Sequence, residues 1–161
     1  MTSLPEPAPR GAVRLRDLRL RDLDEVVRID ALHTGESKPA YWSNILRQFL
    51  AKSAAAGART LRVGLAAAGE AGLHGYLLGE VRAFEFGSEP CGWVFAVGVD
   101  RVAQRAGIAS ELLAEACRRF QAGGIRTVRT MVDRDNVPVL AFFRSNGFVG
   151  GSFVQLEREL E

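Results

Sequence analysis

The chain has 161 residues, 47% of them hydrophobic and 25% charged, which suits one globular domain and excludes fibrous, collagenous and wholly disordered classes. Its 21 basic and 19 acidic residues give a net charge of +2 and are interspersed, so they do not make the footprint of a nucleic-acid or membrane binder, while a small anionic ligand stays open. Cys91 and Cys117 form no CxxC pair, which speaks against a disulfide framework or zinc site, and no metal is expected.

Residues 1–11 (MTSLPEPAPRG) carry proline and glutamate where a secretory leader needs an apolar run, and no stretch reaches ~18 uninterrupted apolar residues. The expectation is a disordered tail, then one domain over residues 12–161, soluble and cytoplasmic. Residues 13–18 alternate apolar and polar side chains as a half-buried strand does. Asp22 caps a first helix over 23–33, with Leu23, Val26, Val27 and Leu32 on one stripe. A polar turn follows, and Tyr41, Trp42, Ile45, Leu46, Phe49 and Leu50 recur at the spacing of a second helix. Runs 60–67, 73–84 and 91–99, separated by glycine-containing turns, predict three strands in an antiparallel meander. A third helix spans 105–122, with Ile108, Leu112, Leu113, Ala116, Cys117 and Phe120 on one face and Gly123–Gly124 ending it. A strand over 125–132, a short helix over 137–145 and a last strand over 153–160 complete the order βααβββαβαβ, an α/β (α+β) fold.

One junction carries chemistry. The strand ending Val97-Gly98-Val99-Asp100 runs through a small-residue turn into Gln104, Arg105, Ala106, Gly107, Ile108 and Ala109, where the third helix begins. Such a junction leaves backbone N–H groups without helical partners at the positive end of the helix dipole, where phosphate binds. Gly107 and Ala109 permit close approach, and Arg101 and Arg105 add charge. The GxxxxGK[ST] pattern of a Walker loop is absent, and taken alone the segment reads more readily as an ordinary turn.

Gln104-x-x-Gly107-x-Ala109 resembles the Q/R-x-x-G-x-G/A signature of the GNAT N-acetyltransferase superfamily. Residues 136–148 (NVPVLAFFRSNGF) resemble that family's later motif through Asn136, Ala141, Phe142, Phe143, Gly147 and Phe148. The two motifs stand in register. The resemblance implies the acyl-CoA N-acyltransferase fold, a mixed, mostly antiparallel sheet flanked by helices in which the fourth strand splays from the fifth. It implies that backbone groups of Val97 and Val99 hold the pantetheine arm and polarise the thioester carbonyl. The N–H groups from Arg105 to Ala109, following Gln104, would take the pyrophosphate. Asn136 would lie near the pantetheine or leaving sulfur, and Arg144 near the nucleotide phosphates. The implied activity is transfer of an acyl group, acetyl by default, from acetyl-CoA to a primary amine by direct attack through a tetrahedral intermediate.

Two departures bear on catalysis. Phe143 occupies the CoA-side position where the family commonly has a proton-donating tyrosine, and Trp93 occupies one that carries a glutamate base in some relatives. Glu80, on the third strand, is the candidate base in their place, although a solvated strand-face carboxylate is the commoner role. His33, Glu36 and Tyr41 border the acceptor side by resemblance, while a surface histidine and a core tyrosine are the plain alternatives. Only residues 149–161 follow the second motif, fewer than relatives carry, which suits an open acceptor side, a bulky acceptor or closure by a second copy in a homodimer. The acceptor is open between a small amine, an amino acid, an antibiotic, and the N-terminus or a lysine of a protein. A protein that binds acyl-CoA for regulation, with weak or no transfer, is the alternative.

Overall fold

The structure is a computed structural model that describes residues 12–55, 61–83 and 85–160; the tail expected over 1–11 lies outside the described residues. They fall into two compact units, one through Thr130 and one from Met131.

The first unit holds β1 (Arg14–Asp17), α1 (Leu23–Thr34), α2 (Pro39–Ala55), β2 (Arg62–Gly69), β3 (Gly72–Arg82), β4 (Cys91–Val99), α3 (Ile108–Ala122) and β5 (Val128–Arg129). The sheet runs β1-β2-β3-β4-β5. Every pairing is antiparallel except β4 with β5, so the expected meander is present within a mixed sheet. Gly69 pairs with Gly72 across a two-residue hairpin turn, and Gly72 takes φ +114°, a backbone angle that glycine alone adopts freely.

Strand alternation sorts the side chains. Ala66, Tyr76 and Leu78 face α1 and α2 and share a buried core with Val26, Ile29, Trp42, Leu46 and Phe49. Positions of opposite parity face α3. Gly75 lies against Ile108 and Leu112, and Gly92 lies against Phe120, whose ring would stand 2.8 Å from any added Cβ. Missing side chains on the sheet thus let α3 settle close to it, and Phe120 is fully buried there.

The third helix starts later than expected. Residues Arg101–Ala106 wind as a 3-10 segment whose first turn is capped by the Asp100 carboxylate accepting from the Val102 N–H. Gly107 at φ +76° then breaks the path before Ile108. The strand expected over 125–132 contracts to Val128–Arg129, because only those residues find partners on β4.

In the second unit, α4 (Val137–Ser145) is capped by Asn136, whose Oδ1 accepts from the Val139 N–H at 3.3 Å. Phe143 is buried, with edge-on ring contacts to Phe142 at 5.0 Å and Phe148 at 5.1 Å, so within this unit the aromatic motif residues pack on one another. The last strand expected over 153–160 is not formed: 149–160 carry no strand, and Val154 and Leu156 are exposed. A strand exists only when a neighbour supplies a ladder, and this unit contains none among the described residues. No helix among them is long and apolar enough to cross a membrane, and no group of three or more His, Cys, Asp or Glu is placed to hold a metal.

Candidate active site

The feature that shapes the site is a bulge in β4. Gly79 pairs with Val94 and Leu78 with Ala96, so Phe95 is an extra residue with no partner on β3. Before the bulge, even-numbered residues point their polar groups toward β5. Gly92 N–H donates to Thr127 C=O at 2.9 Å, and Thr130 Oγ1 donates to Val94 C=O at 2.9 Å. After it the parity is inverted: Asp100 N–H donates to His74 C=O on the β3 side at 2.8 Å. The N–H and C=O groups of Val97 and Val99 therefore point away from β3. The ladder with β5 stops at Trp93–Arg129, so on that side no described strand pairs with β4 beyond the bulge.

The bulge thus turns toward the open side the two residues that the motif resemblance selected. One of their four polar groups is already engaged. His33, at the end of α1, lies with Nε2 2.7 Å from the Val99 carbonyl oxygen. A carbonyl only accepts, so Nε2 carries the proton.

β4 leads directly into the turn before α3. The first helical bond of α3 is donated by Glu111 N–H to Gly107 C=O, and no side chain caps the helix at Gly107. The amides of Ile108 and Ala109 accordingly have no acceptor within the helix. A Cβ built on Gly107 would meet nothing within 4 Å, so Gly107 itself borders open space at the start of this amide cluster. Ile108 is buried and anchors the helix start beneath Gly75, while Gln104 is exposed. Arg101, expected to add charge to a phosphate, is turned instead to α1, where Nη2 donates to Leu32 C=O at 2.9 Å. That carbonyl belongs to the negative end of the α1 dipole, a favourable place for a guanidinium. The side chain of Arg105 lies outside the described residues.

The expected catalytic positions are otherwise occupied. Glu80 faces the α2 side, and its Oε2 is 3.6 Å from Arg62 Nη2. Its register partner on β4 is Trp93, at the zipped end of the strand rather than beside Val97 and Val99. The Trp93 ring is covered by the Arg82 guanidinium at 4.5 Å. On the acceptor side, Tyr41 is half exposed and stacks edge-on against buried Trp42, while Glu36 is exposed. Lys38 pairs with Asp30 at 3.0 Å, and its Nζ lies 5.8 Å from the Tyr41 ring centroid. Tyr76 lies beneath Gly98 and against Trp42, and burial, with Asp30 and Tyr41 adding to it, raises its phenol well above the usual range. Asn136, Phe143 and Arg144 belong to the second unit, where the first caps α4, the second is core and the third is exposed in the last turn of α4.

Three groups escaped the sequence reading: Asp30, Arg28 and the carboxylate of Asp100. Arg28 Nη1 donates to Asp100 Oδ2 at 2.7 Å across 72 residues of sequence, and no local pattern announces such a pair. A separate groove of about 320 Å³ is lined by Asp17, Phe49, Arg62 and Arg119 among others; Arg119 pairs with Asp17 within it, and Arg62 pairs with Glu80 outside its lining.

The comparisons with known proteins concern the family and the fold. Over 63 residues, 39% of the chain, the sequence is 38% identical to the mycothiol acetyltransferase of Saccharomonospora viridis, and the match spans only 21% of that longer protein. The fold is similar to that of an aminoglycoside antibiotic 6'-N-acetyltransferase from Acinetobacter haemolyticus, with a TM-score of 0.73 and 18% identity over 92% of this chain and 99% of that one. It is also similar to an aminoglycoside N-acetyltransferase solved in complex with CoA, with a TM-score of 0.76 and 13% identity over 96% and 99% of the two chains. The model of the acetyltransferase (GNAT) family matches residues 24–148, and the chain belongs to that family.

Proposed function

We propose that the chain is an N-acyltransferase that moves an acetyl group from acetyl-CoA to a primary amine. The observation that carries this reading is the bulge at Phe95, which aims the polar groups of Val97 and Val99 to the open side of β4 just before an uncapped helix start. Open space at Gly107 fits a pyrophosphate approaching the amides of Ile108 and Ala109. When bound, the thioester supplies an acyl group activated for attack. Val97 would hold the pantetheine amides as a neighbouring strand would, and the Val99 N–H would face the carbonyl that gains negative charge. An alkylamine, with a reference pKa of ~10.4, must shed a proton before attacking. Glu80 is the only proton acceptor we assign on β3, and Arg62 must yield for it to serve.

That pairing, together with Trp93 and Phe143 where proton-transfer groups are expected, favours a second reading: acyl-CoA binding with little or no transfer. Release of free thiol from acetyl-CoA, measured with a panel of amines that includes aminoglycosides, amino sugars and peptides, separates the two. Turnover with any acceptor supports transfer, and mass spectrometry of a treated cell extract then names the product. Tight CoA binding without turnover supports the second reading, and absence of CoA binding defeats both.

A further inference from the structure

Because the ladder with β5 ends at Trp93–Arg129, the last residues of β4 lack one row of ladder bonds, so something else must hold the strand end and the turn after it. Three consecutive residues there are tied to α1. The Val99 carbonyl accepts from His33 at 2.7 Å, the Asp100 carboxylate accepts from Arg28 at 2.7 Å, and Arg101 donates to Leu32 C=O at 2.9 Å. Asp100 is the node of this clamp. Its N–H goes to His74, its C=O accepts from the Ala103 N–H, and its second carboxylate oxygen accepts from the Val102 N–H. These bonds fix the 3-10 segment that delivers Gly107, Ile108 and Ala109.

We propose that Arg28 and Asp100 are positioning residues for the acyl donor, so that α1, the helix leading into the acceptor-side loop, sets the affinity of the amide turn for CoA. The inference rests on the reading that CoA binds at this turn. Neither side chain is assigned to touch CoA. Their effect is to preorganise the amides, which removes an ordering cost at binding. Because the same helix carries His33 in its last turn and ends at Thr34, directly before residues 35–41, an acceptor that shifts α1 changes donor affinity, and by linkage the donor changes acceptor affinity equally.

Charge alone and clamping predict opposite signs for one substitution. Asp100→Asn removes a negative charge near an anionic ligand, which by electrostatics strengthens binding, but it also removes the ion pair with Arg28 while keeping an oxygen for the Val102 N–H. The clamp predicts that CoA, titrated calorimetrically into the full chain, binds Asp100→Asn and Arg28→Ala each roughly five- to tenfold more weakly. The double variant is no weaker than either single one, and Arg28→Lys recovers part of the loss. Melting temperatures taken alongside show that all variants are folded; Arg28 is 42% exposed, so its truncation leaves the core intact. Unchanged or tighter binding by Asp100→Asn, or losses that multiply in the double variant, overturns the proposal while leaving the CoA site standing. Failure of the unmodified chain to bind CoA overturns the reading beneath it.

Discussion

Gly107 offers the sharpest test of the amide turn, because its strain and its steric room can be counted separately. At φ +76° any side chain pays about 1–2 kcal/mol of backbone strain, which in a chain of this size lowers the melting temperature by about 2–6 °C. No steric term adds to this, since a Cβ there has nothing within 4 Å. Gly107→Gln and Gly107→Glu should therefore melt within a few degrees of each other, with the carboxylate favoured by at most about 1 kcal/mol at the helix N-terminus. They should part on CoA. A carboxylate held roughly 6 Å from one phosphate charge, at an effective dielectric of ~20, is opposed by about 3 kcal/mol. That corresponds to about a hundredfold in affinity at most, since the side chain can swing toward water. Calorimetric titration at low salt should show Gly107→Gln weakened by bulk alone, Gly107→Glu weakened further by roughly ten- to a hundredfold, and the gap narrowing as salt rises. Gly107→Asn, better tolerated at positive φ, should lose least stability. Equal affinities of the Gln and Glu variants for CoA would refute the placement of a pyrophosphate at this turn.

Asp22, like Asp100 and Glu115, is held below the usual carboxylate range and should contribute to acid stability. Burial opposes its charge, but the Arg16 guanidinium, with both bonds at 2.8 Å, and the Arg19 amide outweigh this and hold it below the usual carboxylate range. A depressed folded value stabilises the fold above the unfolded carboxylate value near 4, and that contribution is lost as pH falls through the folded one. Asp22→Ala should cost about 2 kcal/mol at neutral pH and flatten the decline of melting temperature below pH 4; an unchanged decline would show that other carboxylates control it. Gly98→Ala would drive a Cβ to 2.7 Å from the Tyr76 ring, costing about 1–3 kcal/mol and about 5 °C while disturbing the strand segment between Val97 and Val99; a melting temperature equal to wild type would contradict that packing. Cys117, whose thiol burial pushes up, should alkylate more slowly at neutral pH than a free thiol standard, and a rate at or above the standard would argue against its burial.

Local pattern determined most of the elements. Period 3.6 in 23–33 and 105–122 is a property of short stretches whose burial or backbone geometry depends on near neighbours. α1 and α3 therefore appear close to where the sequence places them. What the sequence left open are the features that depend on distant partners. CGWVFAVGV reads as one continuous strand, and nothing in it marks Phe95 as the bulged residue; that follows only from how β3 is registered against it. Glu80 reads as a free strand-face carboxylate until β2 brings Arg62 alongside. Residues 153–160 have a strand's pattern without a partner strand in their own unit, and they form none. The ties from α1 to Val99, Asp100 and Arg101 bridge 66 to 72 residues, a separation at which side chains meet only because the sheet has already been laid down. Periodicity and turn chemistry are written locally, whereas strand register and ion pairing are settled by tertiary packing, and the geometry of this site depends on the second kind.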